Sequence, residues 1–289
     1  MKTFSALYPL FPVLLFCVLS NTSNAQNTKY GTRALYSNTT GRRNSAFGYY
    51  SLYSNTTGSD NTGVGHFVLL SNTSGYSNIA IGTNALNKNT VGHNIVAVGD
   101  SALFNQKVNS LDYYFNTAVG SKALYSNSTG PFNTATGSHA LEGNITGDHN
   151  TANGTFALTA NTTGIENTAI GSSAQLFNTT GKDNTACGIA ALYFNTTGNY
   201  NTAFGSQAGS GLSNGNRNTF IGYDANSDFE GTVRNSTALG NGSRVSSNNT
   251  VRIGNASIVS IGGFVNWSNV SDGRFKKNIK DDKKGWSLF

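Results

Sequence analysis

The chain has 289 residues, with 34 Gly, 3 Pro, 11% charged residues and a formal charge of +6. So few charges argue against a solvated disordered chain, and no apolar run past the N-terminus approaches the roughly 20 residues of a membrane helix. Six basic against three acidic residues from Ser271 onward, together with Lys2, carry most of the excess, so the long body lacks the basic stripe that nucleic-acid binding requires.

Met1–Ala25 begins with Lys2, continues through an apolar stretch from Leu10 to Leu19 and ends in the small residues Ser23-Asn24-Ala25. That order predicts a secretory signal peptide cleaved near Ala25, and hence a mature chain without a transmembrane span. Cys187 is then the only cysteine left, so an intrachain disulfide is excluded.

From Asn27 the chain repeats. Gly31, Gly48, Gly65, Gly82 and Gly99 are seventeen residues apart. After one longer step, Gly120, Gly137, Gly154, Gly171, Gly188, Gly205 and Gly222 keep the same period, and Gly240 and Gly254 follow less regularly. A unit this short cannot enclose a core alone and must be one coil of a stack. The residues before each Gly alternate as a short strand, and the Asn-Thr-Thr-Gly segments read as turns. The expectation is an all-β, parallel β-solenoid of about fourteen coils over residues 26–262. At about 4.8 Å per coil it is on the order of 65 Å long.

Two columns run along the predicted strand. The residue before Gly is apolar in most coils (Tyr30, Phe47, Val64, Ile81, Val98, Val119, Ile170, Cys187, Phe204, Ile221, Leu239, Ile253), interrupted by Thr136 and Asn153, and is read as a buried ladder containing Cys187 as a small hydrophobe. The opposite face carries Ala46, Ala80, Ala97, Ala118, Ala135, Ala152, Ala169, Ala186, Ala203 and Ala238. So monotonous a column requires close packing, against either the far wall of the coil or a neighbouring chain. A homotrimer about a shared axis accounts for it. Thr117, Thr134, Thr151 and Thr168 are assigned to an inward face, which disfavours their use as a lattice for ice. A second strand at Ala-Leu pairs such as Ala34-Leu35 and Ala191-Leu192 supplies the larger core volume.

Between Gly99 and Gly120 the coil is expanded around Gln106–Phe115, and Tyr113, Tyr114 and Phe115 offer an exposed aromatic platform for a ligand or glycan. A second aromatic column, Tyr36, Tyr53, Phe104, Tyr125 and Tyr193, reads as a stabilising ladder. His66, His93, His139 and His149 fall at different positions of their coils, so they are surface histidines and no metal site is expected. Acidic residues are scattered, no catalytic pair or phosphate-binding loop is visible, and no cofactor is expected. The many Asn-x-Ser/Thr triplets are a by-product of the turn chemistry.

Asn94-Ile95-Val96-Ala97-Val98-Gly99, Asn235-Ser236-Thr237-Ala238-Leu239-Gly240 and Asn249-Thr250-Val251-Arg252-Ile253-Gly254 resemble the head repeats of YadA-like trimeric autotransporter adhesins. The head repeats of that family are shorter than those found here. The resemblance implies a left-handed β-roll, three chains to a head, on a bacterial cell surface or outer membrane or secreted, with host, matrix or glycan ligands. Further on, Val270-Ser271-Asp272-Gly273-Arg274-Phe275-Lys276-Lys277-Asn278-Ile279 resembles the opening of the endosialidase-type intramolecular chaperone domain, which trimerises fibres and cuts itself free. That resemblance implies cleavage before Ser271, with Ser271 as nucleophile and Lys276 as base. The family's domain is much longer than residues 263–289, and a truncated start would lose the activity. The chain is therefore expected not to be an enzyme, beyond at most one turnover of self-cleavage. The expectation is an exported trimeric fibre acting as adhesin or spacer, with a phage-type tail fibre as the alternative.

Overall fold

In the computed structural model, residues 26–107, 114–228 and 231–262 are described. Contacts divide the chain into two units, Met1–Asn255 and Ala256–Phe289. In the first unit, fourteen three-residue strands from Thr28–Tyr30 to Val251–Ile253 stack in one parallel sheet, each paired with the strand one coil away. Two-residue strands, Asn226–Ser227 and Arg244–Val245, pair in parallel beside the last coils. The described residues include no helix, and the architecture is a parallel β-solenoid of about seventeen residues per turn. Of the second unit, residues 256–262 are described; they are exposed and form no strand. The proposed signal peptide and residues 263–289 lie outside the described residues.

The strand registers place Thr185 beside Thr202, Ala186 beside Ala203 and Cys187 beside Phe204, and the same columns run through neighbouring coils. In the twelve strands between the first and the last, only the middle residue is buried, whereas Lys29 and Arg252 at the two ends are exposed. Ala46, Ala97, Ala135 and Ala186 have no exposed surface, whereas the residues flanking them are half-buried or exposed. This corrects the sequence-based orientation in two ways. The apolar column before Gly lies on the outer face, with Phe204 58% exposed and Ile170 43% exposed, and Cys187 is half-exposed beside them. The threonines also face outward. The Ala column packs inside its own chain.

The predicted second strand is a turn, although its Ala-Leu pairs do fill the core. Nine leucines, among them Leu52, Leu124 and Leu192, sit at φ near +50°. The left-handed conformation costs roughly 1–2 kcal/mol per residue. Fully burying a Leu contributes about 1.5–3 kcal/mol. Its backbone is also held by the next coil, as where Leu52 N–H donates to the Val68 carbonyl at 3.0 Å. Burial and this cross-coil bond together offset the strain.

Steric compensation between neighbouring coils keeps the interior full. Where Gly63 replaces the inward Ala, the larger Ser51 and Val68 close in, and a Cβ on Gly63 would lie 2.9 Å and 3.2 Å from their side chains. Where Gly209 replaces Leu, Phe220 occupies the space, and a Cβ on Gly209 would come within 2.8 Å of its ring. Phe220 is fully buried.

Asparagine ladders complete the interior. Asn161 Nδ2 donates to Asn144 Oδ1 at 2.7 Å and to the Gly164 carbonyl at 3.0 Å, and Asn178 Nδ2 donates to Asn161 Oδ1 at 2.8 Å. A second column does the same one turn away: Asn167 Nδ2 reaches the Gly181 carbonyl at 2.8 Å, and Asn184 N–H reaches Asn167 Oδ1 at 3.1 Å. The turn asparagines of triplets such as Asn144-Ile145-Thr146 and Asn195-Thr196-Thr197 are therefore buried and committed. The ladder runs one way, each amide donating toward the N-terminal coil, so a run ends with an unused acceptor. Asn89 Oδ1 lacks a partner where Gln106 follows, and Asn195 Oδ1 lacks one where Leu212 follows.

Candidate interaction surfaces

The strand pleat turns two columns of every coil outward. One holds Thr117, Thr134, Thr151, Thr168, Thr185, Thr202 and Thr219, broken by Ile79, Val96 and Val251 elsewhere; the other is the Val/Ile/Phe column. Neither contains a charged residue over all fourteen strands, although Arg, Lys, Asp and Glu occupy the turns. A solvated sheet face normally alternates with charge and blunts association with it. Here a continuous uncharged strip with protruding Ile81, Ile170, Phe204 and Ile221 is exposed.

The expanded coil is joined to a second feature. Tyr113 lies outside the described residues, Tyr114 is half-buried and Phe115 is 41% exposed. Instead of standing free, the Phe115 ring packs edge-on against His93 at 6.1 Å and Phe132 at 6.0 Å. Tyr76 stacks on His93 at 4.5 Å and Phe132 on His149 at 4.8 Å, so five rings run continuously across successive coils. His93 is buried, contrary to its assignment to the surface. The other aromatic column is a ladder in part: Tyr36 stacks on Tyr53 and Phe104 on Tyr125, both at 5.4 Å, but Tyr193 turns perpendicular to its neighbours.

One corner of the coil, occupied by residues at φ near +55°, brings charges of adjacent coils together. Arg43 Nε donates to Asp60 at 2.5 Å. That hydrogen bond, with the guanidinium charge, holds the Asp60 carboxyl below its ordinary range despite the opposing desolvation. Farther along, Glu166 and Asp183 meet; the hydrogen bond with Asp183 and its like charge push the Glu166 carboxyl up, with His149 opposing weakly. No group of three or more His, Cys, Asp or Glu able to hold a metal ion occurs among the described residues.

Ser271 and Lys276 lie outside the described residues, so the self-cleavage assignment has no geometry attached. Alignment of the coils shows what the sequence analysis missed. Ser206-Gln207-Ala208-Gly209-Ser210-Gly211 lacks both the core Leu and the outer aromatics that the two preceding coils carry at Phe177, Tyr193 and Phe194. No helix among the described residues is long and apolar enough to cross a membrane. In comparisons with known proteins the chain matches no family model and no curated protein.

Proposed function

We propose that the chain is an exported, structural and adhesive fibre protein whose copies pack their uncharged sheet faces together about a common axis. The observation that carries this reading is the fourteen-strand face without a charge, exposing Val, Ile and Phe along the solenoid. Such a strip on a secreted monomer would drive nonspecific association, and packing against equivalent strips of the same chain removes it from water. Three copies on a bacterial surface, acting as adhesin or spacer, is the arrangement that the head-repeat resemblance supplies. The test is the solution mass of residues 26–289 by light scattering. Three chain masses are expected, falling to one in an Ile170→Lys, Ile221→Lys variant that keeps its β-rich circular dichroism. A stable native monomer would overturn the shared axis.

One observation favours a second reading. The Thr column that ice binding would use faces outward, in register from coil to coil. An ice-binding chain would leave this face free, so it would be a monomer with thermal hysteresis in a cooled droplet, and a trimer without hysteresis eliminates it.

A further inference from the structure

The coil starting at Gly205 is thinner than its neighbours on one side. Phe177 and Phe194 stack in adjacent coils with ring centroids 5.7 Å apart and planes at 2°. Tyr193 stands perpendicular to both, 5.2 Å and 4.7 Å away, and braces them as a corner. One coil on, Ser210 and Gly211 take the places of Tyr193 and Phe194, and the ladder stops. Phe194 is left 53% exposed. Hollows of about 560 Å³ and 350 Å³ flank it, and the described residues that line them, Thr196, Ser213, Tyr193 and Gln207 among them, carry no charge. Among the described residues a Cβ on Gly211 would meet nothing nearer than the Asn226 side chain at 3.4 Å, so a side chain can start from this position.

The rim of this gap is polar and neutral. Ser210 Oγ accepts from Asn226 Nδ2 at 2.9 Å and keeps its own proton to donate. Ser213 Oγ donates to the Gly231 carbonyl at 3.2 Å and keeps lone pairs to accept. The Gln207 side chain, on the other side of Phe194, is exposed. A flat aromatic floor with hydroxyl and amide groups at its edge matches a pyranose ring, whose axial C–H face is apolar and whose equatorial hydroxyls radiate in the ring plane. No cation stands among the described lining residues to select an acidic sugar.

We propose that the exposed face of Phe194 binds a neutral pyranose, the sugar stacking where a third ring would continue the Phe177–Phe194 pair. The inference rests on the adhesive part of the proposed function and not on the trimer. A trimer that binds no sugar would lose only this inference, and a monomer that binds one would lose only the shared axis.

The test uses residues 26–289 and a panel of methyl glucoside, galactoside, mannoside and N-acetylglucosaminide, with sialic acid as the anionic control. Contact is read by saturation-transfer NMR and affinity by titration. At least one neutral pyranoside is expected to bind, and more tightly than sialic acid. Gly211→Phe adds a third ring after Phe177 and Phe194, at a position where a Cβ meets only ordinary contact distances. It should leave thermal stability unchanged and lower the affinity by at least about tenfold, as should Phe194→Ala. Tyr36→Ala, an exposed ring in the first coils, should bind as the native chain does. The inference is overturned if no neutral pyranoside binds, or if Gly211→Phe binds equally well.

Discussion

Single residues in this solenoid are constrained mostly by the identical position one coil away. A Cβ on Gly188, at φ +141°, would lie 2.3 Å from the Gly205 carbonyl, so the Gly column is dictated by backbone approach between coils. Like charges can also meet in this way. Because the Glu166 carboxyl is raised by Asp183, its folded pKa lies above the unfolded value. Any stability tied to its proton is present below the ordinary carboxylate range and is lost as pH rises through the raised value. Glu166→Gln should therefore melt slightly higher than the native protein near neutral pH, with the difference vanishing below about pH 4. Thermal melts followed by circular dichroism across that range check this. A native protein that melts higher than Glu166→Gln at neutral pH would contradict it. Asp60 has the opposite sign: Arg43 lowers it, so its contribution is lost on acidification.

Three-residue strands are too short to be stable as isolated elements, and the asparagine ladders compensate by pinning every turn. Asn161 illustrates the cost of a break. Its removal would orphan Asn144 Oδ1 and take one acceptor from Asn178 Nδ2, all with no exposed surface. Asn161→Ala should destabilise by about 2–4 kcal/mol, since each unsatisfied buried group costs about 1–3. Asn38→Ala, at a half-buried terminal rung, should cost clearly less. Urea unfolding of the two variants measures the difference, and equal costs would mean that the ladder is not cooperative. The Asn and Thr of the turns were legible as turn formers, but their burial was not. Asn-Thr-Thr-Gly describes a loop at the surface equally well, and only stacking brings each amide against its copy.

For the whole molecule, the consequential feature is the face without charge. If copies share an axis along it in register, the half-exposed Cys187 of each lies at the same height. Mild oxidation should then join two chains through Cys187 and leave the third free, because two thiolates lose one electron each to the oxidant in forming one bond. A nonreducing gel should show linked pairs that vanish in Cys187→Ser. If instead every chain retains a titratable thiol, the faces do not meet at this height.

The seventeen-residue period, the strand before each Gly, the turn chemistry and an Ala-Leu core could all be read in the amino-acid order, because each depends on local spacing and residue size. Which side of the strand faces inward could not. Period-2 alternation separates two faces without labelling them, and both carry apolar columns. The larger Val, Ile and Phe side chains looked like the core. Closure of the coil decides the matter: Leu52, Leu124 and their equivalents already fill the interior of a narrow turn, which leaves room opposite only for Ala. The bulkier column is therefore displaced to the outer face, where another copy of the chain or a ligand can reach it.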